Sequence, residues 1–126
     1  MILIIDFGSQ YNQLIARRVR ECRVYCQIEP PQIDVDTIKA LNPEGIILSG
    51  GPASVYEENS PKADPEIFNL GIPVLGICYG MQFMVHSLEG SVKRAEKREY
   101  GFASLNIREH EGLYRKIDKI SQCWMS

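Results

Sequence analysis

A cysteine placed between two glycines is the feature of this sequence that most directly indicates chemistry. Cys78 follows the apolar stretch 73–77, and a helix-like stretch begins directly after it. Gly76 and Gly80 leave room for the sharp turn that holds a nucleophile between a strand and a helix. At a helix N-terminus, unpaired N–H groups and the helix dipole stabilise an anionic sulfur. The pattern therefore predicts that Cys78 is a nucleophile rather than a buried core cysteine.

The residues around this cysteine offer the other groups that such a nucleophile needs. A thiolate that attacks a carbonyl carbon forms a tetrahedral oxyanion, which two fixed N–H donors stabilise. The backbone N–H of Tyr79, directly after the cysteine, is one candidate. Gly51 is the second, because the pair Gly50 and Gly51 lets the main chain approach closely, although the pair also suits a simple turn. Gln82, about one helical turn after Cys78, offers a donor and an acceptor to a polar substrate.

Strand and helix patterns that alternate along the chain must position these residues. Apolar stretches at 1–6, 24–28, 45–49 and 73–77 are typical of strands, and the intervening stretches 11–22, 34–41 and 65–70 are typical of helices. This alternation predicts an α/β fold with a mostly parallel, doubly wound sheet and flanking helices. Because sites in such sheets gather at the carboxyl ends of the strands, segments 6–10, 49–52 and 78–80 should meet at one edge.

The pattern is weaker after residue 88. Residues 91–94 and 102–107 are predicted to be strands of a smaller antiparallel sheet, with a turn at 97–101 between them. A short helical turn is predicted at 112–117, and residues 122–126 resemble the start of a further strand. Since no linker or repeat interrupts the 126 residues, we expect a single domain at 1–126.

Composition excludes several classes of function. A net charge of −2 gives no electrostatic surface for nucleic acid, and the basic group at 17–20 suits a solvated helix face. No apolar stretch approaches the roughly 20 residues of a membrane helix, and no signal peptide is visible, so we expect a cytoplasmic protein without membrane contact. The four cysteines lack zinc-ligand spacing, which predicts free thiols and no metal site.

Five segments together resemble the class I glutamine amidotransferase domain of the GMP synthase family, over essentially the whole chain. They are Asp6–Tyr11, Leu48–Pro52, Glu58–Pro61, Gly76–Gln82 and Arg98–Gly101. The resemblance implies a flavodoxin-like fold in which Cys78 forms a γ-glutamyl thioester. It also implies that Gly51 and Tyr79 donate to the oxyanion, and that Gln82 and Gly50 contact the glutamine substrate.

The resemblance further implies a partner that uses the ammonia. In this family an ATP-pyrophosphatase (synthetase), present as a subunit or as a domain, activates xanthosine monophosphate with ATP and Mg²⁺ and then converts it to GMP. No cofactor is therefore expected on this chain, whose small-molecule ligand would be L-glutamine.

The family's general base and its orienting carboxylate belong to His-Gly-Asp and His-Pro-Glu motifs that would follow Ser126. We therefore expect a domain incomplete at its C-terminus, which alone is inactive or very weak. His86 is a poor substitute, because it lies eight residues after Cys78, about 12 Å along a helix. His110, between two glutamates, is better explained as part of a charged turn.

Three hypotheses remain open from the sequence. The first is the glutaminase part of a GMP synthase. The second is a catalytically silent glutamine-binding or regulatory module, favoured by the missing histidine and glutamate. The third is a different class I amidotransferase or another thiol hydrolase of this fold, which the segments Asp6–Tyr11 and Cys78–Gln82 disfavour.

Overall fold

The computed structural model describes residues 1–97 and 100–125 and contains two compact units, Met1–Val92 and Lys93–Ser126. In the first unit a parallel sheet has the strand order β2-β1-β3-β4. Its strands are β1 (Ile2–Ile5), β2 (Cys26–Glu29), β3 (Gly45–Leu48) and β4 (Val74–Gly76). All four strands were predicted from the sequence, and their observed ends differ from the predicted ends by two residues at most.

Helices lie between these strands and after the last of them, as the sequence predicted. They are α1 (Asn12–Glu21), α2 (Val35–Leu41) and α3 (Tyr79–Ser87), and the segment predicted at 65–70 is a 3-10 helix, Pro65–Asn69. Asp34 caps α2, because its carboxylate accepts a hydrogen bond from the Thr37 backbone N–H at 2.7 Å. That bond, together with one from the Thr37 hydroxyl, lowers the pKa of the exposed Asp34 carboxyl.

The core of the first unit has two apolar clusters. Alternate residues of β1 supply both, since Leu3 and Ile5 belong to the larger cluster and Ile4 to the smaller one with Ala16 and Cys26. Successive side chains of a strand point to opposite faces of a sheet, so β1 is buried on both sides. This arrangement confirms the predicted doubly wound α/β sheet.

The second unit contains the predicted small antiparallel sheet, but with a different strand pair. Strand β5 (Gly101–Asn106) pairs with β6 (Ile120–Met125), and a 3-10 helix, Gly112–Tyr114, lies between them in the chain. The prediction of a strand at 91–94 is wrong. Val92 is the only apolar residue there, and it packs against the larger cluster of the first unit instead.

Two further predictions stay predictions. The turn predicted at 97–101 includes Arg98 and Glu99, which lie outside the described residues. The prediction of one domain at 1–126 stays a prediction. Within residues 1–97 and 100–125, no helix has the length and apolar character needed to cross a membrane.

Candidate active site

Cys78 occupies a strained turn between β4 and α3. Cys78 has a φ of 49° and a ψ of −112°, a positive φ that is unusual for a residue other than glycine. It lies directly before the first residue of α3. Such conformations cost about 1–3 kcal/mol and cluster at functional sites. The cysteine is also solvent-exposed, so a substrate can reach its sulfur. Nucleophiles in other folds are held at strand-to-helix turns of this kind, and the role of Cys78 as the nucleophile stays a prediction.

The two glycines that flank Cys78 are required for steric reasons. A Cβ atom on Gly76 would lie 2.7 Å from the Met81 Cα, and one on Gly80 would lie 2.3 Å from the Leu48 carbonyl oxygen. Backbone atoms cannot move aside as a flexible side chain does. The Gly80 N–H also donates to the Ser49 carbonyl at 3.0 Å. Close packing on the end of β3 therefore fixes the start of α3.

The loop after β3 brings Gly50 beside the cysteine. A Cβ atom on Gly50 would lie 3.4 Å from the Cys78 Cβ, and one on Gly51 would lie 2.3 Å from the Phe7 carbonyl oxygen. Gly51 is thus a close main-chain approach to Phe7, whereas Gly50 lies at ordinary contact distance from the cysteine. Among the described residues, neither the Gly51 N–H nor the Tyr79 N–H donates to a protein acceptor. These two groups are available to an oxyanion, and their assignment as donors stays a prediction.

The loop after β1 approaches the same place. The Asp6 carboxylate accepts from the Gly8 N–H at 2.6 Å, and the Ser9 hydroxyl accepts from the Tyr11 N–H at 3.0 Å. The Ser9 hydroxyl would lie 3.9 Å from a Cβ atom on Gly50. Segments that follow the first, third and fourth strands therefore meet at one edge, as the sequence predicted.

The side chain of Tyr79 has a structural contact that the sequence did not predict. Its ring is buried against Phe7, with the ring centroids 5.1 Å apart, and its hydroxyl donates to the Pro61 carbonyl. The residue thus attaches the start of α3 to the loop before the 3-10 helix. The side chain is committed to this packing, and its backbone N–H remains available.

Gln82 lies on the first turn of α3, where its N–H donates to the Cys78 carbonyl at 3.1 Å. Its side-chain oxygen accepts from the Val55 N–H at 3.4 Å, a long and therefore weak bond. That contact leaves the side-chain NH₂ group free of any acceptor among the residues described. The predicted contact of Gln82 with a substrate stays a prediction.

His86 is not placed to act on Cys78. His86 belongs to the last turn of α3, at the other end of the helix from Cys78, and is exposed. His110 belongs to an exposed segment of the second unit. No group of three or more His, Cys, Asp or Glu side chains could hold a metal ion in the part of the chain that the structure describes.

The second unit has a cavity of its own, of about 450 Å³. It is lined by Leu105, Asn106, Ile107, Arg108, Glu109, Glu111 and Tyr114. None of the residues that the sequence predicted for the site lines this cavity. The candidate active site is therefore the edge of the parallel sheet.

Comparison with known proteins agrees with this geometry. The family model described as "Glutamine amidotransferase class-I" matches residues 3–126. The chain is 62% identical over 125 residues to the glutamine-hydrolysing GMP synthase of Heliobacterium modesticaldum, covering 99% of the chain and 24% of that protein. It is 56% identical over 126 residues to the same enzyme of Clostridium botulinum, covering 100% of the chain and 25% of that protein.

A solved structure has the same fold. The chain resembles a Thermoplasma acidophilum protein assigned as one subunit of a GMP synthase, with a TM-score of 0.83 and 28% identity. The match covers 98% of this chain and 62% of that protein. The chain spans about a quarter of the length of the curated relatives that it matches.

Proposed function

Since the chain belongs to the class I glutamine amidotransferase family, we propose that it is the glutamine-hydrolysing part of a GMP synthase. The observation that carries the proposal is the position of Cys78, which has a φ of 49° and lies beside Gly50. Two backbone N–H groups near it, those of Gly51 and Tyr79, have no hydrogen-bond acceptor among the described residues. An exposed thiol in this setting suits acyl transfer.

The proposed reaction begins when the Cys78 sulfur attacks the side-chain amide carbon of L-glutamine. The N–H groups of Gly51 and Tyr79 stabilise the oxyanion that develops on the amide oxygen. Collapse of this intermediate releases ammonia and leaves a γ-glutamyl thioester, which water then hydrolyses to glutamate. Gln82 and Gly50 are proposed to contact the substrate.

Proton transfer in both steps requires a general base. The resemblance assigns that base and its carboxylate to residues after Ser126, and we include this assignment in the proposal. The exposed His86, at the far end of α3, is not given the role.

The ammonia is proposed to be used outside this chain. A synthetase domain or subunit would bind ATP and Mg²⁺ and aminate xanthosine monophosphate, and this chain would bind no cofactor of its own. We also propose a cytoplasmic location. The names of the curated relatives and of the structural neighbour support the partner.

A glutamine analogue that carries a diazoketone in place of the amide tests the proposal. In the full-length gene product we expect it to alkylate Cys78 and to spare the other three cysteines, Cys22, Cys26 and Cys123. Only Cys78 combines a helix N-terminus with the proposed pocket. Peptide mass spectrometry locates the adduct, and excess L-glutamine should protect the thiol.

The exposed Cys22 provides an internal control for simple accessibility. Equal labelling of Cys22 and Cys78, or labelling that L-glutamine does not slow, would contradict a glutamine pocket at Cys78. A full-length protein that binds the analogue but releases no ammonia from L-glutamine would instead support a silent binding module.

A further inference from the structure

Ser49, for which the sequence predicts no role, lies at the centre of the candidate site. The residue is fully buried at the end of β3. Its backbone N–H donates to the Ile5 carbonyl, and its carbonyl accepts from the Gly80 N–H, each at 3.0 Å. Its hydroxyl accepts from the Phe7 N–H and donates to the Gly50 carbonyl, also at 3.0 Å. One buried residue thus joins the segments that follow β1, β3 and β4.

The contact with the Gly50 carbonyl determines where the next N–H points. The chain has no cis peptide bond among its described residues, so the C=O of Gly50 and the N–H of Gly51 point in opposite directions. When the Ser49 hydroxyl holds the carbonyl on the buried side, the Gly51 N–H is directed away from Ser49. That N–H has no protein acceptor among the described residues.

Glycine on both sides makes this peptide easy to rotate. Close approach to Phe7 excludes a larger residue at position 51, and a Cβ atom at position 50 would contact Cys78. The freedom that lets glycine fit also permits the peptide unit to turn over, which would present a carbonyl where a donor is needed. A correct oxyanion site therefore requires a group that selects one orientation.

We propose that Ser49 is a positioning residue that holds the Gly50–Gly51 peptide with its N–H available to the oxyanion. The effect of Ser49 on catalysis rests on the proposed function. The orientation of the Gly50–Gly51 peptide can be tested independently of that function. Ser49 does not touch the substrate in this proposal. It acts through the Gly51 N–H.

The test replaces the Ser49 hydroxyl in the full-length gene product. Removal of one oxyanion donor typically costs about 100- to 1000-fold in kcat, and a donor that is only misoriented part of the time should cost less. We expect Ser49→Ala to lower kcat for glutamine hydrolysis about 10- to 100-fold, with KM changed less than about threefold. Ser49→Cys, which is slightly larger and keeps a weak donor, should lie between Ser49→Ala and wild type.

Two controls separate positioning from damage to the fold. Ser60→Ala removes another buried hydroxyl that donates to a backbone carbonyl, that of Glu57, and should leave kcat within about twofold. Alkylation of Cys78 by iodoacetamide forms no oxyanion, so its rate in Ser49→Ala should stay close to wild type. A large change in that rate, equal to the loss in kcat, would overturn positioning in favour of a disturbed turn.

A crystal structure of the Ser49→Ala variant gives the direct readout, with Ser49→Cys used if the alanine variant does not fold. We expect the Gly50–Gly51 peptide to be turned over or to occupy two orientations. An unmoved peptide with an unchanged kcat would overturn the inference. If the wild-type protein releases no ammonia while the variant's peptide still turns over, the proposed function fails and the positioning role of Ser49 stands.

Discussion

The two units of the molecule differ in how firmly their strands are held. In the first unit β1 is buried on both faces, and Leu3, Ile4 and Ile5 have no exposed surface. In the second unit Phe102 on β5 and Trp124 on β6 are 63% and 75% exposed, although they face each other across the strand pair. The first unit contains the predicted nucleophile and the predicted oxyanion donors, Cys78, Gly51 and Tyr79. Catalytic geometry needs fixed backbone groups, and the doubly covered sheet supplies them.

The same contrast appears in the glycines. Gly51, Gly76 and Gly80 in the first unit have backbone atoms within 3 Å of the position that a Cβ would occupy. Gly112 in the second unit has positive φ but open space around it. Glycine is thus required at these three positions by close packing, and at Gly112, as at Gly71 in the first unit, by backbone conformation.

The sharpest comparison between the units uses their cysteines. In the full-length protein we expect Cys78→Ser to reduce glutamine-dependent ammonia release about 10⁴-fold or more, because the serine hydroxyl is a far weaker nucleophile here. Cys123→Ser, in β6, should leave the rate within about twofold. A coupled assay of ammonia measures both. Equal losses would show that the chemistry is not confined to the first unit.

A pair of phenylalanines tests the difference in burial. Phe7 is 2% exposed and contacts the rings of Tyr79 and Phe83, whereas Phe102 is 63% exposed. We expect Phe7→Ala to lower the free energy of unfolding by about 3–5 kcal/mol and Phe102→Ala by about 1 kcal/mol or less. Urea unfolding of the full-length variants measures this. A similar loss at Phe102 would show that another surface covers it in the full protein.

The glycine comparison gives a smaller effect. Gly80→Ala forces a Cβ to within 2.3 Å of the Leu48 carbonyl oxygen, so we expect a loss of about 3 kcal/mol in the free energy of unfolding. Gly112→Ala meets nothing within 4 Å and should cost about 1 kcal/mol, from its φ of +53° alone. Urea unfolding again provides the measurement. If the order were reversed, packing on β3 would not be what fixes the start of α3.

The smallest expected effect concerns the cap of α2, within the first unit. Asp34→Ala should speed amide hydrogen exchange in α2, since the Thr37 N–H loses its acceptor. The pKa of Asp34 is lowered below its usual 3.8 on folding. Its contribution is therefore present above that value and is lost as the pH falls through the lower, folded pKa.

Asp34→Asn is the matched control, because asparagine keeps a capping oxygen but does not titrate in this range. Its α2 amides should stay protected without the acid dependence. Exchange in Asp34→Ala that matches wild type at neutral pH would contradict the role of the cap.

The predictions from sequence succeeded where one local pattern determined the structure. The buried strands of the first unit are short apolar stretches and its helices follow helical patterns, and each of these elements formed, with the segment at 65–70 as a 3-10 helix. The predicted strand at 91–94 did not form, because its single apolar residue, Val92, packs against the core of the first unit. Pairing of β5 with β6 joins residues about twenty positions apart, and no local signal specifies such a partner.

By itself, the sequence determined the order of the chemistry-bearing segments along the chain, the cysteine between glycines and the family to which it belongs. Only the tertiary structure decided which groups are free to act. It occupies the Gln82 side-chain oxygen with the Val55 N–H and buries the Tyr79 ring against Phe7. It also places the Ser49 hydroxyl on the Gly50 carbonyl. Contacts between distant segments set these orientations, including the bond that the Phe7 N–H donates to the Ser49 hydroxyl, and spacing along one chain does not encode them.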